Sequence, residues 1–335
     1  MFNWQIIGHQ NIIDFLESSI LNDKLSHAYL FYGPKQLGKK TLVKKLIQNL
    51  MCYTAKQNAN IQIPCNECDH CRQINKNIHP DVIWLKKESD KKNITIDQIR
   101  RLEERLSVHS FFKVYKIAII ENAENLNLAS ANALLKTLEE PTPCTVIILI
   151  ADKIHSLPAT ILSRAQQIKF LPVAQKEIYD YLLSQNVERA QAINLACVSS
   201  GRPGRALIFL RSQEIWQAYL SQLNLFLSLM QTSRVSKIKF AEKFLKSKDS
   251  LLNKINILIP LLNLWQLILR DLMLSKLQQN DKIINTMEKD RIDSLSQKYG
   301  LMKLVDLQKN IEQTKKLLGL NVNPRLVLEN LLLAF

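Results

Sequence analysis

Glycine is scarce in this chain: 7 of 335 residues, about 2%, against roughly 7% in an average protein. With only 10 prolines, that shortage excludes collagen-like and loop-dominated chains and points to a helix-heavy one. No uninterrupted apolar run of membrane-spanning length occurs either. The most apolar stretch, Ile255 to Leu274, carries Asn256, Pro260, Asn263, Gln266, Arg270 and Asp271. Within it Leu261, Trp265, Ile268 and Leu272 recur at helical spacing, so a buried helix is expected there. Met1-Phe2-Asn3-Trp4-Gln5 lacks the basic region and following apolar stretch of a secretory leader; the expected location is cytoplasmic, with no membrane contact. Acids are few beside bases, 30 Asp and Glu against 45 Lys and Arg, for a formal net charge of +15. Such an excess concentrates polyanions, nucleic acid being the usual one, although a lysine-rich composition would give the same charge without any partner. What is present in quantity is apolar: 47% hydrophobic residues exclude wholesale disorder and suffice for two or three cores.

The first half alternates short apolar runs with helical patterns. Strands are expected at Ala28–Tyr32, Val82–Leu85, Lys116–Ile120, Thr145–Ile150 and Gln167–Phe170, and helices at Ile12–Leu21, Lys39–Met51, Ile96–Leu106 and Ala129–Glu139. That alternation predicts a parallel, doubly wound α/β sheet with its ligand at the strand C-termini. After Leu171-Pro172 the pattern becomes helical throughout, first to about Leu210 and then from Gln213 to Phe335.

Gly33-Pro34-Lys35-Gln36-Leu37-Gly38-Lys39-Lys40-Thr41 follows the first expected strand and opens a helix, the context of a phosphate-binding loop. Its glycines let backbone N–H groups converge on phosphate, and Lys39 reaches the terminal phosphates. Position 40 should carry the hydroxyl that holds Mg²⁺, and Lys40 stands there; Thr41, one residue on, is rotated by about 100°. An ammonium at 40 can take over part of the metal's electrostatic role. On the third expected strand, Glu121 has the place of a metal-holding acid, but Asn122 follows where an active motor has a glutamate, and an amide is no base. Phosphate binding without efficient turnover is the expectation.

Cys65-Asn66-Glu67-Cys68-Asp69-His70-Cys71 gives C-x2-C-x2-C, with Cys52 thirteen residues upstream. Four thiols so spaced in a chain expected to be cytosolic suggest a metal, structural Zn²⁺ first and an iron–sulfur cluster as the alternative. His70 either faces solvent or replaces one thiol. Cys144 and Cys197 read as small buried hydrophobes.

Several segments resemble the bacterial clamp-loader subunits, a branch of the AAA+ proteins. They are Ile6-Ile7-Gly8-His9, His27 through Pro34, the cysteine cluster, Asn132-Ala133-Leu134-Leu135-Lys136-Thr137-Leu138-Glu139-Glu140-Pro141 and Leu157 through Arg164, in order across Ile6 to about Leu207. The resemblance implies an α/β P-loop AAA+ module over residues 1–172, with flanking helices and a zinc-binding insertion at 52–71. A small helical lid over 173–212 and an all-α collar over 213–335 would follow. It implies a place in a ring around primer–template DNA with gamma/tau motor and delta subunits; contact with the sliding clamp is left open. Gly33, Gly38, Lys39, Lys40, Thr41 and Glu121 would line the cradle, with ATP the nucleotide implied and its binding left open. Ser163-Arg164-Ala165 resembles the family's Ser-Arg-Cys motif, so Arg164 would be an arginine finger acting on a neighbour's ATP. Gly204, between Arg202 and Arg205, falls where motors place an arginine on the γ-phosphate. The degraded loop and Asn122 resemble a non-motor subunit; the alternative is an active gamma/tau-like motor.

Overall fold

Runs of β-branched and aromatic residues bury both faces only in a covered sheet, and here they pair in parallel. The computed structural model describes residues 2–53, 62–88, 91, 93–108, 110–112, 115–245, 251–320 and 322–335. Its strands are β1 (Ala28–Tyr32), β2 (Val82–Leu85), β3 (Lys116–Glu121), β4 (Thr145–Ala151) and β5 (Gln166–Lys169), in the order β2-β3-β4-β1-β5. Every pairing is parallel. The helices of this part are α1 (Gln10–Leu21), α2 (Lys39–Met51), α3 (Asp69–Lys76), α4 (Ile96–Ser107), α5 (Leu128–Glu139) and the one-turn α6 (Ala159–Leu162).

Alternation along each strand sorts the core onto two faces. Tyr29 and Phe31 of β1 join Ile117, Ile119, Val146 and Ile148 beneath Leu16 of α1 and Leu42 and Leu46 of α2. Ala28 and Leu30 join Ala118, Ile120, Ile147 and Leu149 beneath Ile99 and Leu102 of α4 and Leu134 and Leu138 of α5. Local signals fix the helix starts: Thr95 and Gln98 form a reciprocal capping box on α4, and the Asn127 carboxamide accepts the Ser130 N–H on α5.

The α/β class and most elements match expectation, with end shifts of one or two residues. The fifth strand runs Gln166–Lys169 where Gln167–Phe170 was expected, and α1 begins at Gln10. Helix α3 was not anticipated, because its eight residues are mostly polar and show only Cys71 and Ile74 to the core. Cys144 corrects the reading of it as a buried hydrophobe. It is exposed, in the turn before β4, where its left-handed backbone (φ 58°) aims the carbonyl at the Lys116 N–H and leaves the side chain to solvent. Cys197 is half-buried.

The chain divides into two compact units, Met1–Tyr181 with Gly201–Arg205, and Leu182–Ser200 with Ala206–Phe335. The second is helical throughout its described residues. Its longest helix, Leu251–Lys276, contains a segment, Lys254–Lys276, long and apolar enough to cross a membrane by length and composition. Half of its most apolar 18 residues are buried inside the unit, with Leu261, Trp265, Ile268 and Leu272 all in the core as their spacing predicted. Asp271 on the same helix is fully buried; burial pushes its carboxyl up, and the N–H groups of Ile284 (3.2 Å) and Asn285 (2.9 Å) and the Asn285 amide (2.7 Å) oppose that.

Candidate functional site

Parallel register brings the C-terminal ends of three strands side by side: Tyr32 lies opposite Ala151, and Ile150 opposite Glu121. The segments leaving those strands, 33–38, 122–125 and 152–153, therefore crowd one edge of the sheet, where ligands of such folds sit. Gly33 has φ +140°, and a Cβ there would collide with the Phe170 carbonyl, so glycine alone lets the loop turn. The N–H groups of Lys35, Gln36, Leu37 and Gly38 are donated to no other described group. They are available to an anion.

Lys39 is buried, and its ammonium donates to the Gly33 and Pro34 carbonyls and, at 3.0 Å, to Asp152 Oδ1. Lys35 approaches the other Asp152 oxygen at 3.5 Å. Asp152 is the first residue after β4, and its own N–H donates to Glu124 Oε2 (3.3 Å). Lys40 Nζ lies 2.6 Å from Glu121 Oε1, an approach of charges whose angle is not that of a hydrogen bond, and Lys86 Nζ is 3.6 Å from Oε2. The Lys40 and Lys44 ammonium groups stand over the Trp84 ring, 5.1 and 5.8 Å from its centre. Burial, then the like charge of Lys40, lowers the Lys44 pKa. Thr41 is exposed, and so is Asn122, which takes a left-handed conformation (φ 52°). His9 braces the loop from outside: its Nε2–H donates to the Leu37 carbonyl (2.9 Å), its ring sits 4.7 Å from Phe170, and burial lowers its pKa.

The Gly204 N–H donates to the Gln36 carbonyl at 2.9 Å, so this glycine lies directly on the loop. Arg202 and Arg205 flank it, partly buried. Arg164, just after α6, pairs with Glu139 at the end of α5 and donates to the Thr160 carbonyl (3.0 Å).

Cys52 follows α2, Cys68 caps α3 and Cys71 lies in its first turn. All four sulfurs of Cys52, Cys65, Cys68 and Cys71 fall within 4.8 Å of one another, with Cys52–Cys65 at 3.6 Å and Cys65–Cys71 at 4.0 Å. Tetrahedral sulfurs about 2.3 Å from one zinc ion stand about 3.8 Å apart, so the donor set fits such a metal. Burial, then the Cys68 sulfur, pushes the Cys71 thiol up. His70 is turned elsewhere: its Nδ1 faces His79 Nε2 at 2.8 Å, and His79 Nδ1 accepts the Asp81 N–H (3.1 Å). Burial lowers the His79 pKa; the neutral ring therefore donates from Nε2 to His70.

Residues 8–174 match the family described as DNA polymerase III, delta subunit. The delta-prime subunit of Bacillus subtilis (strain 168) is 29% identical over 329 residues, 96% of this chain and 94% of that protein. The delta-prime subunit of Haemophilus influenzae (strain KW20) is 37% identical over 183 residues, 54% of each chain. This is a clamp-loader delta-prime-like chain. The B. subtilis tau subunit is also similar, 34% identical over 173 residues, but the match spans only 30% of its length. In the delta-prime-like chain, Gly33, Gly38, Lys39, Lys40 and Glu121 gather at one edge, Thr41 follows them exposed on α2, and Arg164 pairs with Glu139. Asp152 and Glu124 were missed from sequence. The signal for Asp152 was its place as the first polar residue after the most apolar strand.

Proposed function

We propose that this chain is the delta-prime-type, non-motor subunit of a DNA polymerase III clamp loader. In a ring with gamma/tau and delta subunits around primer–template DNA, it would hold its neighbours and help place the sliding clamp during replication. The observation that carries this reading is the Lys40–Glu121 pair beside Asn122. An ammonium fills the place of the metal and an amide the place of the base, while the loop that would cradle a phosphate stays intact. In this reading residues 1–172 form the AAA+ module, 173–212 the lid and 213–335 the collar, and the chain works in the cytoplasm. Zn²⁺ is structural: four thiolates leave no open coordination position, so no metal-centred catalysis is assigned to it. ATP, where bound, persists rather than turns over.

Arg164 is the residue offered to the neighbouring motor. Its guanidinium is about one-third exposed and is held by Glu139, the Thr160 carbonyl and the Ser163 hydroxyl, contacts that a phosphate could outcompete. Contact with DNA is to the backbone, and so salt-dependent and nearly indifferent to sequence. The test is ATP turnover with primed DNA and Mg²⁺. The purified chain alone should show none. Turnover should appear once gamma/tau and delta are added, and fall on Arg164→Ala with the complex still assembled; an arginine finger is worth roughly 10³–10⁵-fold at the site it serves. Robust turnover by the chain alone would make it a motor. Unchanged turnover in the Arg164→Ala complex would remove the finger.

A further inference from the structure

Two ammonium groups share the Glu121 carboxylate, Lys40 at 2.6 Å and Lys86 at 3.6 Å. Their combined formal charge with that carboxylate is +1, the charge a divalent cation would leave on the same single acid. The rest of the corner leans the same way. Lys44 stands with Lys40 over Trp84 and reaches the Asn75 carbonyl at 3.3 Å. Trp84 Nε1 is buried with no partner among the described residues. On the far side of the loop, Lys35 and Lys39 meet Asp152 while Glu124 holds the Asp152 N–H. Five ammonium groups thus face three carboxylates, an excess of two positive charges beside four unspent loop N–H groups.

A terminal phosphate, carrying close to two negative charges at neutral pH, balances that excess. Mg²⁺ does not fit. It demands near-octahedral oxygen ligands at about 2.1 Å, yet the one carboxylate at its usual place is already taken by Lys40, the hydroxyl of that place is missing, and Thr41 is exposed.

We infer that this corner binds the terminal phosphate of a nucleoside di- or triphosphate without a divalent cation, Lys40 and Lys86 supplying the charge a metal would bring. The inference rests on the cradle reading above and adds the metal independence. Asp152 is the internal competitor for Lys39, which an incoming phosphate displaces.

The test is calorimetric titration of the full chain with ADP, once in EDTA and once in excess Mg²⁺. Affinities should agree within about two-fold, since neither form needs the ion. Lys40→Thr should weaken ADP binding in EDTA by roughly ten-fold or more, the worth of one charge-assisted contact, and Mg²⁺ should recover part of the loss. Lys86→Ala should weaken it without creating a response to Mg²⁺. Lys40 and Lys86 are both substantially exposed, so folding should survive either change, which an unaltered urea midpoint would verify. Wild-type binding that tightens ten-fold or more with Mg²⁺, or a Lys40→Thr variant indistinguishable from wild type, would overturn the inference while leaving the cradle. No binding of ADP under either condition would overturn the cradle with it.

Discussion

Replacing Gly204 with alanine sets two effects of opposite sign against each other. Gly204 lies in the first turn of the helix Pro203–Arg211. Helix propensity and the loss of unfolded-state freedom both favour alanine, by up to about 1 kcal/mol. Against that, the new Cβ would stand 2.9 Å from the Gln36 carbonyl oxygen and 3.2 Å from its Cα. Both are backbone atoms of the phosphate loop, so no side chain can swing away. The loop must shift, and the Gly204-to-Gln36 hydrogen bond at 2.9 Å must stretch. Overpacking of this kind costs about 1–3 kcal/mol and the lost bond about 1 kcal/mol, so the structure predicts a net loss of roughly 2 kcal/mol. With a urea slope of about 2 kcal/mol/M, the midpoint falls by about 1 M. Gly319, the last residue of the helix Leu301–Gly319, is the control: no atom stands within 4 Å of a Cβ built there, so Gly319→Ala should stabilise by a few tenths of a kcal/mol to about 1. Urea unfolding of the three proteins decides the matter. A Gly204→Ala variant as stable as wild type would refute the steric argument.

The cysteine cluster should bring close to one zinc per chain through purification by elemental analysis; Cys65→Ser should lower that content and destabilise the fold, and an iron chromophore would replace the zinc assignment. Stability should also depend on His9. Its folded pKa lies below the unfolded 6.5, so the folded state holds fewer protons; its contribution is complete above pH 6.5 and declines as the pH falls below it. His9→Gln should flatten the urea midpoint between pH 7 and 5.5, and an unchanged slope would show that the Leu37 contact tolerates the charged ring.

The elements of the sheet were readable because burial on both faces leaves its trace in each strand separately. Val146-Ile147-Ile148-Leu149-Ile150 cannot be anything but interior, and Lys39–Met51 repeats its apolar residues at helical spacing. Helix α3 was not readable, since its eight residues are mostly polar, bury only Cys71 and Ile74, and follow an N-cap, Cys68, that makes no side-chain capping bond. At the site, the loop and the C-x2-C-x2-C spacing are local, and both were legible. Asp152, which stands 113 positions from the lysine it holds, was not. Neither was His79, which turns His70 away from the thiols, nor the solvent exposure of Cys144, which a left-handed turn decides.

By itself, then, the sequence determined most of the residues that form strands and helices, that a Gly-x4-Gly-Lys loop follows the first strand and opens a helix, that Lys40 follows Lys39 and Asn122 follows Glu121, and that four thiols lie close along the chain. These are properties of neighbours in sequence, set by periodicity and residue chemistry. Only the tertiary structure decided that Lys40 and Lys86 meet on Glu121, that Asp152 holds Lys39, that Gly204 rests on Gln36 and that Arg164 pairs with Glu139. Each is a pairing between distant segments, brought together by strand order and register, and no pattern along the chain records which charge will find which partner.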